Sequence, residues 1–195
     1  QQIGTFLQED DIIFAETGSS SHGVSSLTLP KGTKYIASSI WGAIGFTLPA
    51  LFGSLLAAPE KRQLLLIGDG SFQVTAQELS RILYEELNPI IFLINNEGYT
   101  IERMIMGMEA DYNDIPDWKY AELPNLLVKD NKMKTFTVTT QGELAQALDE
   151  AESATHGVLI EVMLTKEDAP ESLKMHGPKL ASFNYGWRGM KEMGE

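Results

Sequence analysis

The stretch "LLLIGDGSFQVTAQEL" (64–79) ends an apolar run in a lone acid, Asp69, set between Gly68 and Gly70, and a later run, "PIIFLINNEGYT" (89–100), breaks off the same way at Asn95, Asn96 and Gly98. If 64–68 and 90–94 are parallel strands joined by a helix at 75–87, the right-handed crossover brings both breaks to the same end of a sheet. The rest of the chain repeats that alternation. Apolar, β-branched runs stand at "DIIFAE" (11–16), "KYIASS" (34–39), "QLLLIG" (63–68), "PIIFLI" (89–94), "KTFTVT" (134–139) and "VLIEVML" (158–164). Helical patterns fall at 42–57, 75–87 and 142–154, the last behind "TTQGEL" (139–144), where Thr140 and Glu143 have capping-box spacing. The expectation is an α/β fold: an open, mainly parallel six-stranded sheet with helices on both faces, one domain over 1–195.

In such a sheet ligands bind beyond the carboxyl ends of the strands. Four strands end in small or polar clusters, "ETGSSSHG" (16–23), "SSIWG" (38–42), "GDGS" (68–71) and "NNEGYT" (95–100), which places them at one crevice. The segment 106–124 reads as a long excursion, and the tail lacks periodicity until "YGWRGMKEM" (185–193).

Composition narrows the function. The 195 residues carry a formal charge of -12, with no basic run, which argues against a nucleic-acid partner. The chain contains no cysteine, so it has neither a disulfide framework nor a thiolate site, a composition that fits the cytoplasm. Its first residues, "QQIGTFLQEDD", lack the features of a signal peptide. Residues 35–59 carry no charge, but Gly42, Gly45, Pro49 and Gly53 interrupt them, so a buried helix is expected there rather than a membrane span.

A carboxylate, an amide oxygen and a glycine carbonyl are hard oxygen donors, suited to magnesium or calcium rather than zinc. Magnesium takes few protein ligands and shares its shell with substrate phosphates. Glycines admit a phosphate close to the backbone, and amides at a helix start can donate to it. Neither a dinucleotide fingerprint nor a Walker-type loop is present. A magnesium diphosphate site follows.

"GDGSFQVTAQEL" followed by "NPIIFLINNEGYTIE" (88–102) resembles the thiamine-diphosphate signature of the 2-keto acid decarboxylases, the pyruvate, indolepyruvate and phenylpyruvate group. "AETGSSSHG", "WGAIGFTLPA", "YNDIPDW" and "LIEVML" resemble that group too, in the same order, so the likeness covers nearly the whole chain. It implies that Asp69, the Asn96 side chain and the Gly98 carbonyl hold magnesium. Gly70 and Ser71, with Thr17, Ser19, Tyr99 and Thr100, would line the thiamine diphosphate. Ile44 would wedge beneath the cofactor and bend it, and the Gly42 carbonyl would accept from its exocyclic amine. Glu102 would face the substrate-derived group as a proton donor, a role that burial favours. Plainer roles compete: Ile44 as core, Glu102 as an exposed acid in a helix's first turn, Thr17 and Ser19 as turn caps. His22 stands where the family commonly has an aromatic, either as a ligand-facing donor or as a solvated loop residue; His156 and His176 read as surface residues.

The resemblance also implies a partner. In that family a second domain, usually from another subunit of a homo-oligomer, grips the aminopyrimidine, and no stretch of this sequence resembles it. The chain then looks like the carboxyl-terminal part of a longer enzyme that turns a 2-keto acid into an aldehyde and carbon dioxide, inactive without the pyrimidine-binding domain. Two alternatives remain: an acetolactate-synthase-like carboligase and a non-catalytic thiamine-diphosphate-binding module.

Overall fold

The computed structural model describes residues 2–186 and holds a six-stranded sheet. Its strands are β1 (Ile12–Ala15), β2 (Lys34–Ile36), β3 (Gln63–Gly68), β4 (Ile90–Asn95), β5 (Lys134–Val138) and β6 (Val158–Met163), in the order β2-β1-β3-β4-β6-β5. Every pair is parallel. Each run expected to form a strand does so.

Nine helices surround the sheet among the described residues: α1 (Gln2–Phe6), α2 (Ser19–Ser25), α3 (Thr47–Ala57), α4 (Asp69–Thr75), α5 (Glu78–Tyr84), α6 (Thr100–Met106), α7 (Leu123–Leu127), α8 (Gln141–Glu152) and α9 (Glu171–Tyr185). Alternate residues of the central strands feed two cores. Phe14, Leu65, Ile67, Ile91 and Leu93 pack on Leu48, Leu51 and Leu55 of α3 and on Leu79 and Ile82 of α5. Ile13, Leu64, Leu66, Phe92 and Ile160 face the other way, onto Val24 of α2 and Ala147, Leu148 and Ala151 of α8. Covered on both faces, β1, β3, β4 and β6 are mainly apolar and buried along most of their length, whereas the edge strands β2 and β5 are largely exposed or half-buried.

The helices depart from expectation in informative ways. α3 starts at Thr47, because 42–46 is a turn with Gly42 and Gly45 at positive φ. Helix also begins at Asp69 itself: Gly68 is extended (φ -74, ψ 154), so strand passes into helix in one residue and the "GDG" is a helix start rather than a free turn. α8 carries the expected capping box, with Thr140 Oγ1 accepting the Glu143 N–H and Glu143 reaching back to the Thr140 N–H. α9 occupies much of the tail read as aperiodic; its Gly177 packs so closely on the Met104 carbonyl of α6 that a Cβ has no room. Apart from its first two residues, "YGWRGMKEM" lies outside the described residues. No described helix is long and apolar enough to cross a membrane.

β2 and β3 flank β1 on opposite sides, so the loops after β1 and β3 part at a topological switch point. A crevice opens there at the strands' carboxyl ends.

Candidate functional site

Three seven-residue helices meet at this crevice, each beginning within a few residues of a strand end: α2 after β1, α4 after β3 and α6 after β4. Between them lies a cavity of about 30 Å³, lined by Thr17, Ser19, Asp69, Gly70, Ser71, Asn96, Gly98, Tyr99 and Thr100, together with Gly18, Ser20, Gly68, Ile94 and Ile101. Its volume is about that of one water molecule, enough for a single cation but not for a diphosphate. A far larger groove, about 840 Å³, runs over α8 and the edge strand β5, but it contains none of the candidate metal, cofactor or catalytic residues.

Asp69 is the centre of the cavity. Its carboxylate is only 1 % exposed; Oδ1 accepts the Gly70 N–H at 2.8 Å and Oδ2 the Gly98 N–H at 2.9 Å. Burial pushes its pKa up to about 6, while the backbone N–H groups of Gly70 and Gly98, the Arg103 guanidinium and the backbone N–H of Asn96 pull the other way. Donors and a neighbouring cation thus recover only part of the hydration that the carboxylate has lost. A divalent cation would supply what is missing.

The paired asparagines divide their work. Asn95, the last residue of β4, donates from Nδ2 to Glu161 Oε1 at 2.8 Å and to Asp117 Oδ1 at 3.2 Å, away from the cavity. Asn96 is buried in the cavity wall, and among the described residues its side-chain amide has no hydrogen-bond partner. The Ser20 hydroxyl is likewise buried and unpartnered. A hydroxyl sealed from water without a partner costs about 1–3 kcal/mol, so Ser20, beside the unpartnered Asn96 amide, points to a polar occupant. Gly98 adopts φ +125, and a Cβ there would collide with the Asn113 carbonyl, so only glycine fits. Its own carbonyl accepts the Thr100 N–H at 3.2 Å and keeps a second lone pair. A side chain on Gly70 would likewise strike the Tyr99 ring.

Three expected residues stand outside this lining. Gly42 and Ile44 sit on the 38–46 loop, which touches the site edge where a Cβ on Gly42 would come within 3.6 Å of Thr17 Cγ2. Ile44 is 40 % exposed, so it is not a core residue. Glu102 is half-buried in the first turn of α6 and has no hydrogen-bond or ion-pair partner among the described residues. His22 is not in a loop but on α2, half-buried, where burial and then His176 of α9 hold its imidazole below the usual range.

Other residues were not singled out from the sequence. Glu16 is fully buried and accepts from the Thr17 N–H at 2.8 Å, the Thr47 N–H at 3.1 Å and the Thr47 hydroxyl at 2.7 Å, tying the loop after β1 to the start of α3. Arg103 is buried beneath the β4–α6 loop, and Asn113 and Asp114 return to it from the excursion at 106–124. The available signal was a lone cation inside the otherwise apolar end of "TIERMI" (100–105).

A family model described as "Thiamine pyrophosphate enzyme, C-terminal TPP binding domain" matches residues 16–162. The chain is similar to a pyruvate decarboxylase of Aspergillus fumigatus, 42% identical over 94% of this chain and 33% of that protein. It is similar to an alpha-keto-acid decarboxylase of Mycobacterium avium, 43% identical over 88% of this chain and 31% of the relative. Pyruvate decarboxylase isozyme 1 of Saccharomyces cerevisiae is 40% identical over 94% of this chain and 33% of its own. The chain thus spans about a third of the length of these relatives.

Proposed function

The chain belongs to the thiamine pyrophosphate enzymes, as their C-terminal TPP binding domain, and from that membership we propose that it forms the magnesium and diphosphate half of the cofactor site in a 2-keto acid decarboxylase. One observation carries the reading: Asp69, Asn96 and Gly98, from two separate strand ends, line one cation-sized cavity. The donor set is all hard oxygen, which suits magnesium. In the roles we assign, the Asp69 carboxylate, the Asn96 amide oxygen and the Gly98 carbonyl hold the cation. Thr17, Ser19, Ser71, Tyr99 and Thr100 border the diphosphate. The Gly70 N–H is taken by Asp69, so Gly70 serves by its lack of a side chain.

Thiamine diphosphate, when bound, would supply a nucleophile for the keto carbon and an electron sink for decarboxylation. Gly42 and Ile44 orient the rings from the 38–46 loop. Glu102, held at the start of α6 beside the cavity-lining Ile101, would give its carboxyl proton to the substrate carbon that carbon dioxide has left. The domain that grips the pyrimidine lies outside these 195 residues and meets this one at the face carrying Ile40, Trp41, Ile44 and Phe46, all exposed. We read the complete enzyme as a cytoplasmic homo-oligomer.

The test joins this chain to a pyrimidine-binding domain and assays pyruvate. Acetaldehyde with carbon dioxide is expected from the pair, and little or nothing from the chain alone; acetolactate as the product would turn the reading to a carboligase. Glu102→Gln should lower turnover about 10²- to 10⁴-fold and leave calorimetric cofactor binding nearly unchanged. Full turnover in that variant would strip Glu102 of its proton-transfer role, and a non-catalytic binding module has no need of that acid.

A further inference from the structure

We propose that Arg103 is the positioning residue of the cation site, its guanidinium fixing the loop that presents Asn96 and Gly98 without itself touching cation or cofactor; the proposal rests on the site reading above. The loop is an improbable piece of backbone. Glu97 and Gly98 have successive positive φ values, +58 and +125, and Glu97 has a side chain, so its left-handed conformation persists only where the surroundings hold it. The Arg103 side chain is 0 % exposed and supplies that hold. Nη1 donates to the Asn96 carbonyl at 3.0 Å and to Thr100 Oγ1 at 3.2 Å. Nη2 donates to the Glu97 carbonyl at 2.6 Å, the Asn113 carbonyl at 3.1 Å and Asp114 Oδ1 at 2.7 Å.

One planar group therefore binds the carbonyls on either side of Glu97 and the segment facing it. The same Asn113 carbonyl also accepts the Tyr99 N–H at 2.8 Å, and Gly98 bridges to Asp114, so the excursion at 106–124 is pinned to the loop at several adjacent points. A guanidinium suits the task because its donors diverge in a rigid fork; a lysine presents a compact point charge and cannot reach the same carbonyls in one plane. Burying a full charge beneath a turn is costly unless its donors are used; the two terminal nitrogens share five acceptors, Nε alone is buried without a partner among the described residues, and Asp114 balances the charge from the exposed side. Removing the fork leaves the Asn96 and Glu97 carbonyls without those donors and lets the loop relax out of its left-handed conformation. Asn96 and Gly98 then no longer converge on Asp69.

The experiment titrates thiamine diphosphate calorimetrically into the intact protein across a range of magnesium concentrations, for wild type, Arg103→Gln, Arg103→Lys and Asp69→Asn, with circular dichroism to confirm folding. Arg103→Gln is expected to raise the magnesium needed for half-maximal cofactor binding by about tenfold or more, with binding recovered at saturating magnesium. Arg103→Lys, which keeps the charge, should recover only part of the shift. A merely structural arginine would lower the melting temperature and leave the magnesium requirement alone. Folded Arg103 variants with the wild-type requirement, beside an Asp69→Asn variant that has lost metal dependence, would overturn the proposal and leave the site reading standing. Metal-dependent binding that survives Asp69→Asn would instead remove the site reading. If Arg103→Gln does not fold, Asp114→Asn decides: a shift in the same direction supports the proposal, and none overturns it.

Discussion

Asp69 sets the pH behaviour of the site. Without metal, burial raises its pKa from the ordinary 3.8 to about 6, and the folded chain holds that proton more tightly than the unfolded chain does. The sign follows: this group favours folding below 3.8, loses that contribution as pH rises through about 6, and above it carries a buried charge costing about 3 kcal/mol. A cation has to displace the same proton. Magnesium affinity should therefore be flat above pH 6 and fall by at most about tenfold per unit below it. Calorimetric titrations at pH 5 and pH 7, corrected for the cofactor's own protonation, measure this. Equal affinities at the two pH values would mean that Asp69 is not a ligand. At this scale the sequence told which residue types meet but not which asparagine faces which way. That depends on where β4 ends: Asn95 is still in strand and turns toward Glu161, and Asn96 is the first residue past it.

Short helices limit what periodicity can reveal. Each site-bearing helix, α2, α4 and α6, spans seven residues, only two turns, and each starts in glycine-, serine- or threonine-rich sequence that also signals a turn. Such segments read as loops, although the strands leading into them were plain. α8, at twelve residues with a full capping box, was legible to within two residues at either end. The two kinds of helix start differ in what they support. Thr140→Ala should lower unfolding free energy by about 0.5–2 kcal/mol in a urea titration and leave cofactor binding unchanged, since α8 lies away from the crevice. Glu16→Ala strips the Thr47 hydroxyl and the Thr17 and Thr47 N–H groups of their shared acceptor, at about 2–3 kcal/mol. It should also weaken cofactor binding, because Thr17 lines the cavity. Equal effects of both variants on binding would mean that the Glu16 anchor plays no part in the site.

Among the described residues, α7 and α9 also expose apolar side chains, but the two most exposed lie together on the segment leading into α3. Ile40 is 90 % exposed and Trp41 89 %, with Ile44 and Phe46 beside them and Val74 of α4 exposed nearby, packed against Gly45. The uncharged run at 35–59 thus has two fates: its second half forms α3 and enters the core, and its first half stays at the surface. Composition alone could not separate them, because burial of the first half depends on a surface this chain does not provide. Covering Ile40 and Trp41 is worth about 2 kcal/mol each, enough to drive pairing of the isolated chain with itself when the proposed pyrimidine-binding domain is absent. Sedimentation velocity over a concentration series should show self-association of the isolated chain, and the double variant Ile40→Ser, Trp41→Ser, which alters both copies, should weaken it by about a thousandfold or more in dissociation constant. Adding the pyrimidine-binding domain to the wild-type chain should break up the self-association and shift tryptophan emission to shorter wavelength as Trp41 leaves water. If the double variant associates as tightly as wild type, and still accepts the pyrimidine-binding domain, this face is neither the self-contact nor the domain contact, and the cofactor site must be completed from another side.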